Sequence, residues 1–203
     1  MVKKTDERRR QMMTEFRRSE ILEAATKVFG AKGYEGTRVD DIAAEAGLAK
    51  ATVYVYFESK DEIYQETVEQ ALSELAELTD RHVAAEQDFA GKVRAFISVR
   101  ISFWKEKQAL YHVISSLNRE MPNRRRSLNW QKKTVDYLTA MFSVAAERGE
   151  IEGRNLEASA WALMDIVRGI NERRIVNYGR SSEEEIDFVT TLVLRALGSR
   201  QKK

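Results

Sequence analysis

The side chains best suited to binding chemistry lie in one short segment, residues 50–56. Its lysine can neutralise a phosphate or donate to guanine, and its threonine and tyrosine hydroxyls can donate to phosphate oxygens. Its two small apolar side chains suit close approach to a thymine methyl group. The residues predicted to face a nucleic acid are Lys50, Ala51, Thr52, Tyr54, Val55 and Tyr56. The segment alone leaves a second interpretation open, in which Tyr54 and Tyr56 only pack a half-buried helix.

Two short predicted helices position this segment. Hydrophobic spacing predicts a helix over about 39–46, a stop at Gly47 and a second helix over about 50–57. Glycine suits the turn because it adopts a left-handed backbone conformation at little cost. Thr37 is predicted to cap the first helix, with Asp40 in a capping-box-like place three residues later. Such a pair is typical of a helix-turn-helix, whose second helix enters the major groove of DNA.

The span from about Arg17 to Glu66 resembles the N-terminal domain of the tetracycline-repressor (TetR-type) family. The matching pieces are Ile21-Leu22-Glu23-Ala24-Ala25 with Val28-Phe29, Gly33-Tyr34 with Gly36-Thr37, Val39 to Ile42-Ala43, Ala46-Gly47, and Thr52-Val53-Tyr54 to Tyr56-Phe57 with Lys60. The resemblance implies an all-helical regulator that binds double-stranded operator DNA as a homodimer. It also implies a repressor that a small molecule releases from a palindromic operator.

Carried over position by position, the resemblance implies a set of DNA-binding residues on three elements. These are Lys50, Ala51, Thr52, Tyr54 and Tyr56 on the recognition helix, Thr37 and Arg38 at the start of the preceding helix, and Lys60 at the start of the linking helix. Ala49 departs from the family pattern, which often has a capping hydroxyl there. We therefore expect the recognition helix to start without a side-chain cap.

Composition narrows the class of protein. The absence of cysteine excludes disulfides, thiolate zinc sites and cysteine nucleophiles. No apolar run is long enough to span a bilayer and no apolar stretch of signal-peptide type follows the basic N-terminus, so we expect a cytoplasmic protein. Residues 1–18 carry seven basic and three acidic side chains, hence a net charge of +4. This arm can meet phosphate, or it can be a solvated tail.

The whole pattern predicts an all-α chain of nine helices in two domains. Residues 1–60 form the N-terminal arm and helix-turn-helix domain, and residues 61–203 form a helical ligand-binding and dimerisation domain. The first helix is expected over about 15–31, and the linking helix from Lys60 to about Arg81. Pro122 is expected to break the chain before a helix that begins near Arg124.

The second predicted domain carries two further candidate sites. Aromatic side chains that could line a ligand cavity are Phe96, Trp104, Tyr111 and Tyr137. In the family the last two helices pair across a dimer axis, which makes Trp161, Val167, Phe188, Leu192 and Val193 candidates for the interface. Both sets could instead be core residues. Arg119, Arg124, Arg125 and Arg126 around Pro122 could bind an anion or be a solvated loop end.

Two other functions compete with that of a ligand-responsive regulator. An enzyme is disfavoured because the chain has no glycine-rich phosphate loop, histidine–glutamate zinc motif or nucleophile elbow, so we predict no catalytic residue, metal or cofactor. His82 and His112 lack partners at metal-ligand spacing. The other rival is a DNA-binding protein without an effector, whose large domain only dimerises. The ligand, the operator and the choice between repressor and activator lie beyond the sequence.

Overall fold

All the regular secondary structure of the described residues is α-helical. The structure, a computed structural model, describes residues 2–117, 121–178 and 181–199. Its nine helices within those ranges are α1 (Val2–Gly36), α2 (Val39–Glu45), α3 (Lys50–Tyr56), α4 (Lys60–Ala85), α5 (Phe89–Glu106), α6 (Gln108–Leu117), α7 (Met121–Glu147), α8 (Leu156–Ile175) and α9 (Ser182–Ala196). The prediction of an all-α fold with nine helices is confirmed.

Two helices begin earlier than predicted. The α1 helix begins at Val2 rather than near residue 15, because residues 2–14 are rich in good helix formers such as Lys, Arg, Glu and Met. These residues carry no apolar stripe, so hydrophobic spacing gave no sign of a helix there. The α7 helix begins at Met121, and Pro122 lies in its first turn. A proline is tolerated there because its missing N–H would have no partner inside the helix. The expectation that Pro122 breaks the chain before the helix is therefore wrong.

The chain divides into two compact units, Met1–Ser73 and Glu74–Lys203. The boundary falls inside α4, further along the chain than the predicted division between residues 60 and 61. The first half of α4 belongs to the first unit because it buries Ile63, Tyr64 and Val68. The linker is thus a continuous helix, which is the kind of connection that the sequence indicated.

The first unit is held by an apolar stripe on α1. Ile21, Ala25 and Phe29 are fully buried, with Ile42 and Val53 from the next two helices equally inaccessible. Phe29 lies edge-on to Tyr64 on α4, with ring centroids 5.6 Å apart. Each large apolar side chain buried in this way stabilises the fold by about 1.5–3 kcal/mol. The packing fixes α2 and the start of α4 against α1.

The second unit has a larger core of its own. It is built mainly from α5, α7, α8 and α9, and its fully buried residues include Phe96, Ile97, Leu138, Phe142 and Leu163. Phe89 and Phe142 meet edge to face, with ring centroids 5.8 Å apart.

Among the described residues, no helix combines the length and the apolar character needed to cross a membrane.

Candidate nucleic-acid interface

A tight turn joins α2 to α3. Gly47 adopts a φ of +67°, the left-handed region that favours glycine. The backbone N–H of Leu48 donates to the carbonyl of Ala43 at 2.8 Å, and the N–H of Gly47 donates to that of Ala44 at 3.1 Å. These bonds satisfy carbonyls that the end of α2 would otherwise leave open. The predicted glycine turn between two short helices is confirmed.

The start of α2 differs from the prediction by one residue. Arg38 is the N-cap residue, and its backbone N–H donates to the Asp41 carboxylate at 3.0 Å. Thr37 is instead buried, and its hydroxyl donates to the Gly33 carbonyl at 2.6 Å. The assignment of Thr37 as cap, with Asp40 in the box, was therefore wrong. Thr37 closes the end of α1, while Arg38 is exposed.

The α3 helix presents one face outward, as its residue types predicted. Val53 and Phe57 are buried, whereas Lys50, Ala51, Tyr54 and Val55 are exposed and Thr52 and Tyr56 are half-buried. Val55 leaves 76% of its surface accessible, which is unusual for a β-branched apolar residue. The N-cap Ala49 offers no side-chain acceptor, in agreement with the sequence. A helix that places apolar and hydroxyl groups outward beside a lysine can meet base edges and phosphates.

An ion pair restrains the lysine at the start of this face. The Lys50 ammonium lies 2.7 Å from the Asp40 carboxylate of α2. The hydrogen bond to Asp40 raises the pKa of Lys50 above its usual value. Both side chains are solvent-accessible, so the pair is weak and can open when a phosphate approaches.

Lys60 is engaged inside the first unit. Its Nζ donates to the carbonyls of Tyr34 at 2.9 Å and Thr37 at 3.2 Å. It also lies 4.2 Å from the centroid of the Tyr34 ring. Lys60 therefore joins the start of α4 to the connection between α1 and α2. Spacing along the chain showed where Lys60 starts its helix but could not show these partners.

Arg18 is a positioning residue that sequence reasoning missed. Its guanidinium donates to the carbonyl of Tyr56 and to the carboxylate of Glu66, and it lies 4.3 Å from the centroid of the Phe57 ring. These contacts hold the end of α3 against α1 and α4. In the sequence Arg18 stands out only as part of the basic arm, in which the neighbouring Arg17 pairs with Glu20 at 2.7 Å.

The predicted ligand-binding aromatics form two separate pairs in the second unit. Phe96 stacks on Tyr137 with ring centroids 6.4 Å apart, and Trp104 contacts Tyr111 at 5.1 Å. Trp104 lines a pocket of about 310 Å³, and Tyr137 lines a different pocket of about 380 Å³. Burial raises the pKa of Tyr111, whose hydroxyl donates to the carbonyl of Arg168 at 3.3 Å. The four side chains thus do not surround one cavity.

Arg100 is a buried cation that the sequence analysis did not single out. Its guanidinium donates to the hydroxyls of Thr79 at 2.7 Å and Thr134 at 3.4 Å, and it lies 4.0 Å from the centroid of the Phe96 ring. Burial lowers the pKa of Arg100 to about 9, which leaves it charged at neutral pH. The available signal was its position on an apolar stripe, three residues after Ile97 and four before Trp104.

The predicted interface residues fall into two groups. Val167 and Val193 are 3% and 6% exposed and belong to the core of their own unit, which corrects their assignment to a surface between subunits. Phe188 and Leu192 are 65% and 43% exposed on α9, and Trp161 is half-buried on α8. The two exposed residues lie four positions apart and so share one face of α9.

Part of the predicted arginine cluster lies outside the described residues. This holds for Arg119, and the side chains of Arg124 and Arg126 are likewise not described, while Arg125 is exposed at the start of α7. The anion-binding hypothesis for this cluster stays a prediction.

Comparison with known proteins shows a family likeness within the first unit. Residues 21–67 match the family model for bacterial regulatory proteins of the tetR family. The HTH-type transcriptional regulator YhgD of Bacillus subtilis is 25% identical over 153 residues, which are 74% of this chain and 80% of YhgD. IcaR of Staphylococcus epidermidis, the negative transcriptional regulator of the biofilm operon icaADBC, is 38% identical over 52 residues, which are 26% of this chain and 28% of IcaR. IcaR, its counterpart in Staphylococcus aureus and the regulator YfiR of Bacillus subtilis are each matched over only 27–28% of their own length.

A solved structure extends the likeness to both units. AibR, in complex with isovaleryl coenzyme A and operator DNA, has a TM-score of 0.69 and 21% identity, and the match covers 91% of this chain and 100% of AibR. At this level of identity the likeness establishes the fold, an N-terminal helix-turn-helix followed by a helical domain.

Proposed function

We propose that the chain is a TetR-type transcriptional regulator, a homodimeric repressor that is released from a palindromic operator when a small molecule binds the second unit. The observation that carries the proposal is the outward face of α3. Lys50, Tyr54 and Val55 are exposed there, while the helix is held from behind by buried Val53 and Phe57. The protein acts in the cytoplasm, where its operator lies.

Contacts to DNA divide by side-chain type. Tyr54 and Lys50 lie on the exposed face of α3 near the bases, where Tyr54 suits base edges and Lys50 can meet a base edge or a phosphate, whereas Thr52, Tyr56 and Arg38 suit phosphates. Thr37 contributes through its backbone and through the shape of the connection before α2, because its hydroxyl is already used. Lys60 keeps only part of its hydrogen-bonding capacity for a phosphate. IcaR, a named negative regulator, supports repression as the outcome of binding.

The ligand-sensing step is supported by the second unit. Two of the pockets formed by its described residues, of about 310 and 380 Å³, are of the size that small molecules occupy. AibR, a neighbour in fold, is named for a complex with both an acyl-coenzyme A and operator DNA. The α4 helix starts in the first unit and ends in the second without a break, so a shift of this helix can couple the two. A ligand that favours the DNA-incompetent state must weaken DNA binding by the factor by which DNA weakens ligand binding.

The test begins with selection of DNA from a random duplex library by the full chain, followed by measurement of affinity for the enriched sequence. We expect a palindrome to be enriched, because a two-fold dimer presents two recognition helices. Tyr54→Ala should weaken operator binding about tenfold or more. Tyr178→Ala is the matched control, since Tyr178 is another exposed tyrosine and lies outside α3, with 76% exposure against 48% for Tyr54.

Each part of the proposal fails separately. Absence of any enriched sequence, or equal affinity of Tyr54→Ala and Tyr178→Ala, contradicts the DNA-binding assignment. A screen of small molecules for release of the bound operator then tests sensing. If no molecule changes operator affinity while the operator is still bound specifically, the protein is the effector-free DNA-binding protein instead.

A further inference from the structure

A pocket at the C-terminal end of α8 is lined by residues that carry buried polar atoms without a hydrogen-bond partner. The pocket has a volume of about 310 Å³, and its lining includes Trp104, Lys105, Gln108, Asn171, Arg174 and Ser182. Among the buried side-chain atoms of the described residues, Asn171 Oδ1 and Arg174 Nη1 are the two without a hydrogen-bond partner. Asn171 and Arg174 both line this pocket.

Such atoms are costly in a folded protein. A buried donor or acceptor that loses its water without gaining a partner destabilises the fold, so nearly all of them are paired. Asn171 is 4% exposed, and Asn171 and Arg174 lie three residues apart on one face of α8. An unused acceptor and an unused donor therefore belong to two residues of the pocket lining that lie about one helical turn apart.

The charges of the pocket select the kind of ligand. Arg174 uses its other terminal nitrogen, Nη2, for the Glu185 carboxylate and for the Ser182 hydroxyl at 3.3 Å, so its net charge is already compensated. Lys105 adds a cation at the lining, where it can attract an anion. A carboxylate would accept from Arg174 Nη1 and interact with Lys105.

The neutral groups require a second feature of the ligand. Asn171 Oδ1 is an acceptor and needs a donor such as a hydroxyl or an amino group. Gln108 donates its Nε2 to the carbonyl of Arg174 at 2.9 Å, which leaves its Oε1 as a further acceptor. Trp104 is 8% exposed and supplies a flat apolar wall.

We propose that this pocket binds a small carboxylate that carries a hydroxyl or amino group beside the acid. The carboxylate lies at Arg174 Nη1 and Lys105, and the donor lies at Asn171 Oδ1. The site goes beyond the regulatory proposal and is tested without DNA; only its further role as the effector site rests on the proposed function.

The experiment is a titration of the full, ¹⁵N-labelled chain with mandelate, a 2-hydroxy carboxylate with one aromatic ring. We expect saturable shifts of the Trp104 indole N–H and of the Asn171 and Gln108 side-chain amides. Phenylacetate lacks the hydroxyl and mandelamide lacks the charge, so each should bind about tenfold more weakly than mandelate. Lactate, which keeps both groups without the ring, should shift the same signals.

Variants locate the binding. Asn171→Leu removes the acceptor while filling its volume, and it should weaken mandelate binding about tenfold without lowering the melting temperature. Lys105→Gln should also weaken binding, whereas Lys133→Gln, an exposed lysine elsewhere in the second unit, should not. The proposal is overturned if neither mandelate nor lactate gives saturable shifts up to about 10 mM. It is equally overturned if binding is the same without the hydroxyl, or the same in Asn171→Leu and Lys105→Gln.

Discussion

At the scale of single residues, two lysines with the same predicted role have different surroundings. Lys50 and Lys60 were both predicted to bind DNA, from their types and their places at helix starts. Lys50 pairs with the exposed carboxylate of Asp40, which a phosphate can replace. Lys60 donates to two backbone carbonyls and contacts the ring of Tyr34. Residue type showed what each ammonium can do. It could not show whether its donors were already in use, because Tyr34 lies 26 residues away in sequence.

Lys60→Ala separates these two roles. The substitution removes the contacts with the Tyr34 and Thr37 carbonyls, so we expect a lower melting temperature of the first unit. If Lys60 also reaches a phosphate, the slope of log affinity against log salt should fall by about 0.9. Lys50→Ala is the matched control, in which the salt slope should fall while the melting temperature stays the same.

The measurement is operator affinity at several salt concentrations together with thermal unfolding of the full chain. A lower melting temperature with an unchanged salt slope in Lys60→Ala would leave Lys60 only a structural role. Unchanged slopes in both variants would remove both lysines from the DNA interface.

At the scale of elements, the sequence was informative wherever an apolar stripe or a glycine marks a helix. The buried positions of α3 and the turn at Gly47 followed from local spacing, and its start without a side-chain cap followed from Ala49, which departs from the pattern of the family that the chain resembles. The early start of α1 was missed because helix propensity without an apolar face leaves no periodic signal. The clamp formed by Arg18 was missed for another reason. Its partners Tyr56 and Glu66 are 38 and 48 residues away, and only the fold brings them together.

Arg18→Ala should loosen α3. Arg18 bonds a carbonyl at the end of α3 and a carboxylate on α4, and its side chain is 29% exposed, so removal should cost about 1–2 kcal/mol of local stability. Arg17→Ala removes a neighbouring, 40% exposed ion pair and should cost less than about 0.5 kcal/mol. Native-state hydrogen exchange of the α3 amides measures both effects. Equal protection of α3 in the two variants would contradict the clamp.

At the scale of the whole molecule, the sequence predicted more interface residues than the surface provides. Apolar richness in α8 and α9 suggested five, yet Val167 and Val193 pack inside their own unit. Hydrophobic spacing marks the apolar side of a helix, but it does not separate the core from a second apolar surface when both run along one helix. On α9, exposure separates them: Phe188 and Leu192 face outward although they are large and apolar. Burying both against a second copy would stabilise a dimer, by less than the about 1.5–3 kcal/mol of a fully exposed side chain, because each already hides part of its surface.

Leu192→Glu therefore tests assembly and DNA binding together. A charge at this position would be buried without a partner in the proposed interface, so we expect a monomer by light scattering at micromolar concentration. A monomer carries one recognition helix and loses the second half-site, which in a two-fold dimer lies roughly one helical turn of DNA away. Specific affinity for the palindrome should then fall to that for a single half-site, while helix content stays unchanged because Leu192 is outside the core.

Val144→Glu is the matched control, since Val144 on α7 is 46% exposed against 43% for Leu192 and lies outside α8 and α9. A wild-type monomer, or a Leu192→Glu variant that still dimerises and binds the palindrome normally, would show that α9 is not the interface.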